Sequence, residues 1–190
     1  LVFPDWETLP YDAFSPHQDI TSERLATLRT LPGTRHGILT VPVTTLLQRI
    51  APLNYLAGAS FDLHTGQRFD IQAQRHALEE TGYLAVDTVS ERGQYAIRGA
   101  VMDIYPMGSE LPVRIDLFDD EVETLRTFSP DSQRTIARIE ELKLLPAKEF
   151  PFDEQAIALF RDKWHNTFNV DVRRCSVYQD VSSYIVPNGI

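Results

Sequence analysis

The sequence predicts a mixed α/β and α+β chain: a central antiparallel sheet with a helix packed on it, flanked by partial α/β segments. Short alternating runs recur near 94–98, 100–105, 113–118, 121–128 and 136–145, separated by Gly, Pro, Ser and Asp, and that spacing is the mark of an antiparallel sheet. Ahead of them lies a helix-length segment with its own start and stop signals, and strand-then-helix patterns stand outside them. The chain has 190 residues, 43% of them hydrophobic, enough for one ordinary domain or two small ones with a packed core.

Residues 1–57 form the first part. Ile20, Leu25 and Leu28 mark a helical face that Pro32-Gly33 ends. Ile38-Leu39-Thr40-Val41 reads as a short buried strand, and Leu46, Leu47 and Ile50 as a helix stopped near Pro52. The second part, 58–146, opens with a strand from Ala59 to Leu63. Asp70 can cap a helix through Ile71, Arg75 and Leu78, and Gly82 can end it. The sheet strands follow, with Phe118-Asp119-Asp120-Glu121 as a candidate hairpin, although Asp-Asp is weaker there than Asn-Gly. In the third part, 147–190, Asp153 can cap a helix carrying Ala156, Ile157, Phe160 and Trp164. A weaker helix passes through Val177, Val181 and Tyr184.

Composition narrows function. The net charge of −9 argues against a domain built to grip duplex phosphates, an affinity that rests on Lys and Arg, and leaves room for a local basic patch. No apolar run approaches the roughly 18 residues of a membrane span, and no basic-then-apolar leader is present. Cys175 is the one cysteine, so no internal disulfide can form, and a reducing cytoplasm is expected. Leu1 in place of methionine predicts a piece of a longer protein that starts inside a domain.

Catalytic patterns are sparse. None of the nine glycines is followed by lysine, as a phosphate-binding loop requires, so nucleotide hydrolysis by this chain is not expected. Asp103, Asp116, Asp119, Asp120, Glu121 and Glu123 could be imagined as a two-metal nuclease site. Consecutive Asp119, Asp120 and Glu121 cannot all converge on one ion, and a charged hairpin tip that keeps an edge strand solvated explains them better. The five histidines show no ligand spacing, so no metal and no cofactor are expected. Trp6, Tyr11 and Phe14, like Trp164 with Phe160, read as core aromatics rather than a nucleic-acid stacking platform.

The strand Val113–Phe118 is different. At a period of two, Val113, Ile115 and Leu117 share one face while Arg114, Asp116 and Phe118 share the other. Arg114 and Phe118 then stand about 13 Å apart. Arginine and phenylalanine are enriched where proteins meet. Such a face is either covered within the domain, for example by an Arg114–Glu123 salt bridge, or gripping a partner. Both readings stay open at the level of the residues.

Those same residues carry a resemblance. Arg98-Gly99-x-x-x-Asp103-Ile104-Tyr105-Pro106, followed by Leu117-Phe118-Asp119-Asp120-Glu121-Val122-Glu123, resembles the signature of the UvrB-like family, which includes the bacterial transcription-repair coupling factors (Mfd). Asp5-Trp6-Glu7-Thr8-Leu9-Pro10-Tyr11-Asp12, Ser15-Pro16-His17-Gln18-Asp19, Tyr105 through Pro112 and Asp131-Ser132-Gln133-Arg134-Thr135 are closer to the coupling factors. The resemblance covers essentially the whole chain.

It implies a UvrA-binding domain within 58–146 that mimics UvrB and recruits UvrA to stalled transcription complexes. Truncated helicase-like α/β segments without a phosphate-binding loop flank it. It places partner contacts on Arg98, Arg114 and Phe118. The parent protein is then a cytoplasmic, ATP-dependent DNA translocase that engages RNA polymerase and DNA and can mask this surface. The missing phosphate-binding loop and apolar span lead to the expectation of a non-catalytic fragment with no membrane partner, and it is expected to be monomeric.

Overall fold

The computed structural model describes residues 1–8 and 14–187. They divide into two compact units: Leu1–Trp6 with His17–Phe150, and the described residues of Glu7–Pro16 with Pro151–Ile190. No helix among the described residues is long and apolar enough to cross a membrane.

The first unit opens with helix α1 (Gln18–Thr30), whose Leu25 and Leu28 are buried and which a turn of 3-10 helix containing Pro32 and Gly33 terminates. Two short helices follow, α2 (Val43–Leu46) and α3 (Leu53–Gly58), then strand β1 (Phe61–His64) and helix α4 (Ile71–Glu80). Asp70 starts α4, its Oδ1 accepting from the backbone N–H groups of Gln72 and Ala73 at 2.9 and 3.1 Å. Gly82 leaves it at φ +95°, where a Cβ would meet the Lys148 side chain at 2.7 Å, so both conformation and space demand glycine.

The strands are β2 (Leu84–Ala85), β3 (Gln94–Arg98), β4 (Val101–Ile104), β5 (Val113–Phe118), β6 (Glu121–Phe128), β7 (Thr135–Ile139) and β8 (Glu141–Leu144). Strands β2 to β7 form one six-stranded sheet in sequence order, antiparallel except for the short parallel β2–β3 edge. β8 leaves it to pair with β1, so the single run expected over 136–145 is two strands in two sheets. Met102, Ile104, Val113, Ile115, Val122 and Leu125 line the buried face and share a core with Leu78 of α4, Leu63 and Leu142.

β5 and β6 are joined by a two-residue turn, with Phe118 opposite Glu121 and Asp119 at φ +54°, a left-handed conformation that aspartate tolerates better than most residues. The register then slips, Leu117 facing Val122 but Asp116 facing Thr124, which leaves Glu123 as the bulged residue. The tip does not guard a sheet edge as expected, because β5 and β6 are interior strands. The chain at 66–69 runs alongside it, with Phe69 N–H donating to the Asp120 carbonyl at 2.7 Å and Val122 N–H to that of Gln67 at 2.9 Å.

Residues 38–50 overturn two expectations. Thr40 makes only an isolated parallel bridge to Val2, and Ile38 is 83% exposed. Leu46, Leu47 and Ile50 are exposed as well, on or just after the single turn of α2. Among the described residues the backbone of 38–41 pairs only with the segment at Leu1–Phe3, and of these four only Val41 packs against the core, partly buried. The aromatic run also parts company: Trp6 joins buried Arg24, whose guanidinium lies 4.6 Å from the Trp6 ring and 4.2 Å from that of Phe3, and donates its Nε1–H to Glu149 at 3.1 Å. Phe14 is exposed rather than core, and Tyr11 lies outside the described residues.

In the second unit, α5 (Glu154–Thr167) starts at Asp153, whose carboxylate accepts from Ala156 N–H at 2.8 Å. Trp164 packs its ring 5.2 Å from Phe160, 4.5 Å from Phe168 and 5.7 Å from Tyr178. Tyr178 belongs to α6 (Ser176–Ser182). Tyr184 is exposed and left-handed at φ +61°, so the last helix stops short of it.

Candidate partner-binding face

The second face of the six-stranded sheet carries its charges. Register puts Asp103 of β4 opposite Arg114 of β5, and Arg114 opposite Arg126 of β6. Arg114 grips Asp103 with both prongs, Nε to Oδ1 at 2.7 Å and Nη2 to Oδ2 at 2.8 Å, the strong bidentate form of an ion pair. The pair raises the Arg114 pKa further above its ordinary value, against a smaller opposing effect of burial. Beneath it, the guanidinium carbon lies 5.0 Å from the ring centre of fully buried Phe128. Phe128 belongs to a small second core with Val89, Ala96 and Tyr105.

Arg98 reaches the same carboxylate from β3. Its Nη2 lies 3.8 Å from Asp103 Oδ2 and donates to the Asp87 carbonyl at 2.8 Å. The Asp103 side chain is only 3% exposed, while those of Arg98 and Arg114 are 55% and 21% exposed. One sealed anion therefore holds two arginines, one of them more than half exposed. Four residues along β5 from Arg114, Phe118 is 70% exposed at the strand end.

The structure thus brings Arg98 and Arg114 together through Asp103 and puts Phe118 on the strand that carries Arg114. The Arg114–Glu123 bridge considered from the sequence does not form. Glu123 sits on the bulge, and the register offers Arg114 a carboxylate on its other side. Asp116, the next charge along β5, instead accepts from Arg126 at 2.7 and 3.0 Å and from the Thr124 hydroxyl at 2.6 Å. The sequence marks Asp103 as one acid among six and as part of the motif from Arg98 to Pro106, but not as the organising anion. Alternation along β4 puts it on a polar face, but its partner is chosen by strand register.

The hairpin acids do not gather. Asp120 lies 3.6 Å from Arg68, and no group of three or more His, Cys, Asp or Glu among the described residues could hold a metal ion.

A family model described as the UvrB interaction domain matches residues 61–150, the stretch that holds this face. The transcription-repair-coupling factor of Escherichia coli strain K12 is 53% identical over 98% of the chain. The chain belongs to the transcription-repair coupling factor family. The factor of Haemophilus influenzae is 47% identical over 100% of the chain, and that of Bacillus subtilis strain 168 is 32% identical over 78% of it. The chain spans 16%, 17% and 13% of the length of these three relatives. The coupling-factor segment in hand is therefore a small part of proteins of that kind, and its best-marked portion is the one built on the arginine-bearing sheet.

Proposed function

We propose that this chain is a non-catalytic binding module of transcription-coupled repair and that its arginine-bearing sheet face binds UvrA in the way UvrB does. The observation that carries the reading is the exposed Phe118 on the same strand and face as Arg114, with Arg98 tied to Arg114 through Asp103. An aromatic anchor flanked by oriented arginines is the composition of an interface hot spot. The family supports the direction, since its name joins transcription to repair and its matching domain is described as the UvrB interaction domain.

The binding unit is assigned to 58–146, with Arg98, Arg114 and Phe118 as contacts. The flanks 1–57 and 147–190 are assigned to a UvrB-like α/β domain. This role calls for no cofactor in the chain. In the longer parent, engagement of RNA polymerase and DNA, ATP-driven translocation and a cytoplasmic location complete the proposal. The alternative, a metal-dependent nucleic-acid enzyme using Asp119–Glu121, has no observation in its favour.

Titration calorimetry of the chain with UvrA tests the proposal. Phe118→Ala, Arg114→Ala and Arg98→Ala are each expected to cost about 2 kcal/mol, roughly thirtyfold in affinity, and added salt is expected to weaken the wild-type complex. Unchanged affinity in all three variants sinks the proposal.

A further inference from the structure

Arg114, Arg126 and Arg138 are direct cross-strand partners on β5, β6 and β7. Residues directly opposite on neighbouring strands lie about 5 Å apart and point to the same side. The three arginines therefore form a row across the sheet, continuing the line that Asp103 begins on β4. This row runs across the strands, whereas Arg114 and Phe118 lie along one strand. Arg114 is the corner where the two lines meet.

Like charges placed directly opposite each other weaken a sheet, so the row needs anions. Asp103 serves Arg114 and Asp116 serves Arg126. No carboxylate serves Arg138 among the described residues. It donates a long hydrogen bond, 3.4 Å from Nη2 to the Glu123 carbonyl. β7 is the outermost strand of its sheet, and its residues from Thr135 to Arg138 are exposed. The chain holds 27 acidic residues against 18 basic ones, so three arginines in register run against its overall composition.

We propose that the row ending at Arg138 extends the binding face and takes carboxylates of an acidic protein surface. The proposal rests on the UvrA reading in so far as the partner is UvrA. A carboxylate matches the planar fork of arginine. A phosphate backbone fits less well, because Asp103 and Asp116 lie within the row's flanks and the chain as a whole is strongly anionic. Arg126 is held by Asp116 through its Nε and Nη2. Among the described residues, Arg138 is the member of the row without a carboxylate, and it is left for the partner.

Arg138→Glu and Arg138→Gln, measured against UvrA by surface plasmon resonance at several salt concentrations, separate the possibilities. Arg138→Glu is expected to bind about tenfold more weakly and Arg138→Gln about threefold, mainly through slower association, with a shallower salt dependence. The melting temperature of Arg138→Glu is expected to hold or rise, since glutamate opposite Arg126 is a favourable pair. If the wild type and Arg138→Glu bind UvrA alike with the same salt dependence, the row is not part of the face, while the UvrA reading survives on Phe118→Ala. If the wild type fails to bind UvrA at all, both fall. A lowered melting temperature in Arg138→Glu makes the residue structural and overturns the proposal. So does binding of a fluorescent duplex DNA that Arg138→Glu abolishes.

Discussion

On one face of the six-stranded sheet Met102, Ile104, Val113, Ile115 and Leu125 are sealed from water, while on the other Arg98, Arg114, Arg126 and Phe118 reach into it. Both faces come from the same strands, residue by residue in alternation. The buried face is held by removal of apolar surface from water, which is non-directional and tolerates small changes of position. The charged face is held by directional contacts, above all the fork of Arg114 on Asp103. Its cations are thus already oriented before any partner arrives. Preorganised side chains lose less freedom on binding, and the fork on Asp103 uses only part of the five N–H donors of Arg114. One face stores stability, and the other stores geometry.

Substitutions that strip one face and spare the other sharpen this contrast. The largest loss is expected from Ile115→Ala, at a fully buried position, at about 3 kcal/mol of folding free energy for the cavity left behind. Urea unfolding measures it, and the fraction still folded is expected to keep the wild-type affinity for UvrA. Asp103→Ala attacks the other face by leaving Arg98 and Arg114 without their anion. The cost of breaking the pair is discounted for the exposure of both arginines, to about 2 kcal/mol, and UvrA binding is expected to weaken along with stability. A stable Asp103→Ala that binds as the wild type does shows that the carboxylate organises neither.

The smallest effect concerns Tyr95, a polar intrusion into the buried face. Its hydroxyl donates to Glu79 on α4 at 2.8 Å. Burial first, and then that carboxylate, pushes its pKa from 10.0 up to about 12. The folded state therefore keeps the proton that the unfolded chain releases. The contribution to stability is complete below pH 10 and is lost as pH rises toward 12, at about 1 kcal/mol per pH unit. Tyr95→Phe is expected to flatten that part of a pH–stability curve followed by circular dichroism.

Much of this was legible along the chain. Asp70 and Asp153 cap the helices they were expected to cap, because capping is local chemistry between a side chain and backbone groups two or three residues on. The alternation of Val113, Ile115 and Leu117 with Arg114, Asp116 and Phe118 also survives folding, as strand geometry imposes it on any strand. Residues 38–50 show the limit: their pattern looks like core, yet Ile38, Leu46 and Leu47 face water because burial is a property of neighbours.

By itself the sequence determined which residues turn to which side of β5, where α4 and α5 begin, and the resemblance that points to a repair partner. Only the tertiary structure decided that Asp103, rather than Glu123, takes Arg114, and that Arg138 ends a row of arginines with no anion of its own among the described residues. Pairing across strands depends on register, and register is set jointly by the turns, the bulge at Glu123 and the packing of a whole face. None of these is encoded in any one segment.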